Sequence, residues 1–586
     1  MNAKRLFAFF FVLTCSLIAI PSLADAQQRK RPELDDQVPL LDRQWSNDPL
    51  KFDFIVVGDK WSGGHDKWPI FDRAMAEINL LRPDFAITVG DMIPGHVVTR
   101  EEWDAEWATF HSHADVLEVP LFLTPGNHDI SNPEMYHLWR EDFGSTYYSF
   151  DYMNCHFLVI NTEEERFDGR GEVWNRMIEF VETDLSKSTD ARHTFLFMHK
   201  PMWRDDRYED DWARIDAALG ARRFTAFAGH THTLELDDTR PQRHIVVAAT
   251  GGGISLSPLR ELGEFDHYTK VVVNGDSVHL AIIEPGAMHA YDTARLTRVR
   301  EIYGMATINP HPPTGLTTPR ATFVVDVAYS NVLEDTVTIT TKISGLDGGA
   351  WELSEGADSL AITLTPGERT DRRFTLTVPP GELGTPPSIV SSVIRGDEVL
   401  FRRGRVVPLA QESAMRVIPE WRVVGPFAIG DVQAQYLPDD PERAIPGLFT
   451  GEKANVLRPA RYYVDNGDTL RWVTASATSE GLLNFNGIIG TKDHVLGYAV
   501  AEVYSPRKQS IFIRMRADNF AQVLVNGTRV PEGDKWSGTG GIQYVRLPLK
   551  KGWNNLAVKL INNRGDWYLD VGVADPENEL RFRLPR

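Results

Sequence analysis

At 586 residues the chain is too long for one ordinary domain, and two to four are expected. Its 42% apolar and 24% charged residues are the composition of a soluble globular protein. A formal charge of −19, with no Lys/Arg-rich block beyond the N-terminus, excludes a general binder of the nucleic-acid backbone.

The first segment reads as a processing signal. Lys4 and Arg5 precede an apolar stretch, Leu6 to Ile20, and Ala24-Asp25-Ala26 supplies small residues before Gln27. This predicts a signal peptide over residues 1–26 and export to the periplasm or beyond, with 27–50 as a polar leader. An uncleaved anchor is the alternative, but the stretch is short for a membrane span. No later segment is apolar and long enough to cross a membrane. Cleavage leaves Cys155 as the sole cysteine, so no intramolecular disulfide is expected. It lies in the run Cys155-His-Phe-Leu-Val-Ile160, which reads as a buried strand with an inert core thiol.

From residue 51 the chain alternates apolar strands with helical spacing. Asp53–Val57 is a strand run ending at Gly58-Asp59, and Phe71, Ala74, Ile78 and Leu81 recur at helical intervals. Phe85–Val89 is a second strand, ending at Gly90-Asp91. Trp103, Trp107, Phe110 and Leu117 mark a second helix, followed by the run Val119–Thr124 and the turn Pro125-Gly126-Asn127-His128-Asp129. Thr194–Met198 ends at His199, and Phe224–Ala228 ends at Gly229-His230-Thr231-His232. Five apolar strands therefore each finish in a residue able to ligate a metal. In open α/β sheets such strand ends form the ligand crevice. All but two of the 17 histidines fall before residue 290, in agreement.

Read in order, Gly58-Asp59, Gly90-Asp91, Gly126-Asn127-His128-Asp129, the lone His199 and Gly229-His230-Thr231-His232 resemble the calcineurin-like metallophosphoesterase superfamily over residues 51–295. The resemblance implies a four-layer αββα sandwich with a two-metal site at one edge. Asp91 would bridge both ions, with Asn127, His199 and His230 completing one and Asp59 and His232 serving the other. His128, steered by Asp129, would contact the phosphoryl group and help the leaving oxygen depart. Mixed imidazole and carboxylate ligands suit Mn, Fe or Zn. The implied reaction is hydrolysis of a phosphomono- or phosphodiester by a hydroxide that bridges the metals. One position departs from the pattern. The family's first motif is usually Asp-x-His, whereas here it is Asp59-Lys60-Trp61, and indole cannot ligate a cation. His65, after Gly63-Gly64, is the nearest imidazole and is expected to fold back as the missing ligand, the alternative being a loop residue near the substrate mouth. His111, His113 and His267 are read as structural groups or outer supports of the site.

Beyond about residue 295 the pattern becomes all-β, so the fold class is multi-domain: α/β followed by β modules. Alternating runs separated by Gly/Pro turns predict a small β-sandwich over 318–415, resembling bacterial Ig-like modules. Residues 416–586 resemble galactose-binding-like jelly rolls, through Trp421–Phe427, Asp518-Asn519, Asn526-Gly527 and Lys551–Asn554. Asn526-Gly527 is a hairpin-turn signal. Exposed tryptophans there offer carbohydrate a stacking face, and the alternative is that they are core. The reading that follows is an exported metal-dependent phosphoesterase acting on a phosphate-ester substrate. Its rival is a degraded phosphoesterase domain that serves as a glycan-binding or structural surface protein, and Trp61 is the feature favouring that rival.

Overall fold

The structure, a computed structural model, describes residues 50–585 except 62–66, 166–170, 312, 315–319, 347–350, 356–357, 380–386, 408–414, 429–462, 466–467, 491–494, 519, 537–541, 563–566 and 576–577. The expected export segment, nearly all of the leader, and His65 lie outside the described residues.

Two six-stranded sheets make up the first half. Strands β1 (Lys51–Val57), β2 (Phe85–Thr88) and β3 (Leu121–Phe122) run parallel. Helices α1 (Trp68–Leu81) and α2 (Arg100–Ala114) are the crossovers between them. Helix α1 buries Phe71, Ala74, Met75 and Ile78, one apolar stripe at helical spacing, and carries a proline in its first turn. Helix α2 is capped by Thr99, whose hydroxyl accepts from the Glu102 amide. Strand β3 is shorter than its apolar run suggests, because Pro120 has no N–H to give a ladder. After α3 (Pro133–Asp142), the chain forms the second sheet. Its strands are β4 (Tyr148–Tyr152), β5 (Cys155–Val159), β6 (His193–Phe197), β7 (Phe224–Ala228), β8 (Glu235–Leu236) and β9 (Arg243–Val246). Helices α4 (Glu172–Lys187) and α5 (Glu209–Leu219) connect its parallel strands. The chain then returns to the first sheet as β10 (Tyr268–Asn274), β11 (Ser277–Glu284) and β12 (Ala287–Ala290), giving the orders β12-β11-β10-β1-β2-β3 and β4-β5-β6-β7-β9-β8.

The two sheets meet through phenylalanines. Phe54 of β1 stacks on Phe85 of β2 at 5.1 Å and meets Phe195 of β6 edge-on at 5.0 Å. The opposite face of the first sheet (Ile55, Val57, Ala86) packs on α1–α3, and that of the second (Leu158, Leu196, Ala226) on α4 and α5. Helices, sheet, sheet and helices thus follow one another. Cys155 is buried in this core, where burial pushes its thiol up to about 11, so it is inert at neutral pH.

From residue 306 the described chain is almost all strand. Two four-stranded sheets span residues 306–406, and two larger sheets, of five and seven strands, share one core over residues 415–583. Asn526 and Gly527, both at positive φ, form the two-residue turn between Val525 and Thr528, as the turn signal implied. Residues 296–407 are not separate from the first half. Ala294, Val299 and Ile302 share a core cluster with Leu259, Phe265 and Phe401, and the Ser257 hydroxyl donates to the Leu400 carbonyl at 2.9 Å. Trp421 and Trp567 are core residues and offer no face to sugar, and Arg583 covers one face of the Trp553 ring at 3.7 Å.

A backbone joint at the end of β1 sets where the functional loops meet. The Gly58 amide donates to the Thr250 hydroxyl and the Thr250 amide to the Asp59 carbonyl, both at 2.9 Å. The approach leaves no room for a side chain, since a Cβ on Gly58 would lie 1.8 Å from the Ala248 carbonyl oxygen. Gly58→Ala is expected to cost about 1–3 kcal/mol, the usual effect of added volume at a packed joint, and to lower Tm accordingly. A Gly58→Ala protein melting with the wild type would show that the two sheets do not depend on this approach.

Candidate active site

The loops that end β1, β2, β3, β6 and β7 converge at one edge of the two facing sheets. Asp91 lies at the centre. It follows Gly90 and itself adopts φ +61, a left-handed backbone that an aspartate takes at some cost. Its carbonyl accepts from the Lys60 and Trp61 amides at 3.0 and 2.9 Å, which ties the first motif to the second. Its Oδ1 accepts from the His128 amide at 2.8 Å. The third motif can come this close only because residue 126 is glycine: a Cβ there would lie 2.3 Å from Asp91 Oδ1.

Around Asp91 the expected ligand atoms form two groups. His199 Nε2 lies 3.2 Å from Asp91 Oδ2, 3.0 Å from Asn127 Oδ1 and 3.2 Å from His230 Nδ1. His199 Nδ1–H donates to the Val89 carbonyl at 2.9 Å, which turns Nε2 toward the cluster. In the second group, His232 Nε2 is 3.0 Å from Asp59 Oδ2, and its Nδ1–H donates to the Gly253 carbonyl at 2.8 Å. One ligand atom each from Asp91, His199 and His230 lies within 4.8 Å of the others, and the same holds for Asp59, Asp91 and His232. His230 and His232 also sit at positive φ, 70° and 52°.

Electrostatics show that the clusters suit cations. Asp59 is completely buried, and its Oδ1 has no hydrogen-bond partner, a costly state for a carboxylate oxygen unless a cation meets it. Burial alone would raise the Asp91 carboxyl, but His199 and His128 outweigh it and hold Asp91 well below the usual carboxylate range. Burial would likewise lower His199, yet the Asp91 carboxylate pushes that imidazole up to about 10. A proton then stands where several electron-rich atoms need positive charge. His230 is exposed as a residue, but its ring edge is packed into the cluster, and that desolvation with the His199 charge beside it drives the imidazole down to about 3, favouring the neutral form.

Two expectations need correction or restriction. Asp129 does not steer His128. It lies completely buried, and its carboxylate accepts from the amides of Asp91 (2.7 Å), Met92 (2.8 Å), Ile93 (3.3 Å) and Gly126 (2.9 Å). A carboxylate surrounded by backbone donors anchors loops, and the group that orients His128 is the Pro94 carbonyl, 2.6 Å from Nδ1. His65 lies outside the described residues, so the cluster of Asp59, Asp91 and His232 offers three ligand atoms among the described residues. Trp61 is half-buried beside it, and Lys60 is buried with its ammonium 3.7 Å over the Trp68 ring.

Other residues near the site were not singled out from sequence. His96, whose ring centroid is 5.3 Å from that of His128, follows Asp91 by five positions in Met92-Ile-Pro-Gly-His96. Lys200, next to His199, is buried against Glu163 (3.0 Å) and Glu165 (3.4 Å). A histidine so soon after the Gly-Asp motif was a readable signal, whereas nothing in the sequence marked the Lys200 cluster. Among the histidines read as structural, His267 is buried with its Nδ1 3.1 Å from the Phe265 carbonyl. His113 pairs with Asp72 and stacks on Trp68, and His111 pairs with Asp115.

The paired-sheet α/β domain carries, at its strand ends, an Asp/His/Asn cluster whose donor chemistry could hold metal. Residues 52–234 match the family model of the calcineurin-like phosphoesterases. No curated protein matches the chain. Among solved structures, it is similar to GAP50, the anchor in the inner membrane complex of Plasmodium. That likeness has 13% identity and a TM-score of 0.33, covering 41% of this chain and 88% of that one. A dimetal phosphatase from Danio rerio is similar at 14% identity and TM-score 0.32, with 41% and 98% covered. A 5'-nucleotidase from Candida albicans is similar at 10% and 0.28, with 74% and 88% covered. All three lie below the level at which a likeness carries an argument.

Metal loading should expel the proton that His199 holds. At pH 8, titrating Mn or Zn into metal-free protein should release at least about one proton per chain, read as a calorimetric enthalpy that changes with the buffer's ionisation heat. His199→Gln should lose that dependence and bind metal more weakly. A buffer-independent enthalpy in the wild type would contradict a protonated His199.

Proposed function

We propose that the protein is a metal-dependent phosphoesterase that hydrolyses a phosphomono- or phosphodiester at the Asp91 cluster. The observation that carries this reading is the convergence of two ligand groups on one shared carboxylate, with an orphaned carboxylate oxygen in one of them. Asn127, His199 and His230 with Asp91 would hold one cation, and Asp59 and His232 with Asp91 the other. Divalent cations there would lower the pKa of water and offset charge on the phosphoryl oxygens. The chain's own residues do the rest. Val89 and Gly253 carbonyls fix the tautomers of His199 and His232, so both present Nε2 to the cluster. The Pro94 carbonyl fixes His128 in the same way and leaves its Nε2 for substrate, beside the half-buried His96 ring. Burial lowers His128, with Asp91 only partly opposing it; because Pro94 takes the Nδ1 proton, Nε2 bonds a phosphoryl or leaving oxygen only when the ring is protonated, a form that an anionic substrate favours. The β modules are read as Ig-like and jelly-roll accessories that position the enzyme, and the pattern of residues 1–26 supports export. Among the described residues no helix is long and apolar enough to cross a membrane.

The test is hydrolysis of an aryl phosphate and an aryl diester by metal-loaded protein. Asp91→Asn should lose metal and reduce turnover to background while the fold survives. A folded, fully active Asp91→Asn protein would contradict the proposal and favour the degraded-domain reading. His128→Ala should keep its metal and slow turnover by about 10²–10⁴-fold. If His128 helps the leaving oxygen depart, the loss should grow as the leaving group worsens. An equal loss across leaving groups would make it a positioning residue instead.

A further inference from the structure

At the end of the second sheet farthest from Asp91 lies a cavity of about 410 Å³. Its walls include the first residues of β6, β7 and β9 (His193, Phe224 and Arg243) with Arg223 and Thr225, and the Asp276–His279 turn and strand of the first sheet. His193 and His199 are separated by six residues of extended chain, about 20 Å, so this cavity is distinct from the metal-competent edge.

Its charge is unusual for a chain of −19. The Arg223 guanidinium donates to the Asp276 carbonyl at 3.3 Å and that of Arg243 to the Val278 carbonyl at 2.8 Å, and among the described residues neither has a carboxylate partner. Arg243 also lies 5.4 Å over the Tyr291 ring, which holds the guanidinium plane. A guanidinium has five donors, so each keeps several free. His193 is 7% exposed; its Nε2 meets the Thr225 hydroxyl at 3.0 Å, and its Nδ1 has no partner. His279 adds an exposed imidazole at the rim. Asp276 is the sole carboxylate among the described lining residues.

We propose that this cavity is a second, non-catalytic binding site for a small phosphate-type oxyanion, held by Arg223 and Arg243 beside the buried His193–Thr225 pair. Forked guanidinium donors match tetrahedral oxyanions, and the neighbouring His193 ring reports the bound charge. The volume exceeds the need of a bare phosphate ion, so the end of a small phosphomonoester fits as well. Burial and the charges of Arg243, Arg223 and Arg192 drive His193 down to about 4, and an anion beside it would reverse part of that effect. The inference does not depend on the phosphoesterase reading.

The experiment uses full-length Asp91→Asn protein, in which turnover is silenced, titrated with inorganic phosphate and separately with glycerol 3-phosphate. Binding of either should move the His193 ring resonances in NMR and raise its pKa. Response to phosphate alone identifies the free ion, and response to both identifies the phosphoryl group. Adding Arg223→Gln and Arg243→Gln should weaken binding about tenfold or more, the usual scale for lost bonds to a charged group, and leave hydrolysis unchanged in an otherwise wild-type chain. A folded double variant with unchanged affinity would overturn the proposal. So would Asp91→Asn protein whose His193 resonances stay still at saturating concentrations of both ligands.

Discussion

Four backbone amides on one buried carboxylate hold the functional edge together. Asp129 gathers the N–H groups of Asp91, Met92, Ile93 and Gly126, and so locks the turn after β2 against the turn after β3. Without it, four buried donors would lose their partner, each at a cost of about 1–3 kcal/mol. The lock also explains how Asp91 keeps a left-handed backbone, because its flanking amides are held from outside. Asn127 and His128, inside the locked turn, inherit their positions from the same contacts.

The second constraint is the meeting of the two sheets. Three ligand-bearing loops belong to one sheet and two to the other, so the site exists only if the sheets are held in register. Phenylalanine packing supplies most of the burial, and the Gly58–Thr250 joint fixes the spacing where β1 hands over to Asp59. The region after residue 295 adds to this support. Its strands share a core cluster with Leu259 and Phe265, close to the loop whose Gly253 carbonyl holds His232.

Much of the site was legible because each ligand ends an apolar run. Asp59, Asp91, Asn127, His199, His230 and His232 all stand at strand ends, where hydrophobic periodicity stops and a glycine immediately precedes four of the six. The distribution of those strands over two sheets was not legible from periodicity, since β1 and β6 read alike. It follows from long-range pairing, such as β1 with the much later β10. Asp129 was misread for a related reason. In the sequence it adjoins His128, but in the turn its side chain points to amides contributed by another loop. The carbonyls of Val89, Pro94 and Gly253 leave no trace in side-chain identity at all.

The absence of the usual histidine at Trp61 makes the cluster of Asp59, Asp91 and His232 the harder half of the account. Its buried, unpartnered Asp59 oxygen is the observation that most favours a cation there. Anomalous diffraction from metal-soaked crystals tests this most directly. The account predicts two peaks, one bordered by Asp91, Asn127, His199 and His230 and one by Asp59, Asp91 and His232. A single peak with Asp59 left empty, or none beside Asp91, would contradict it.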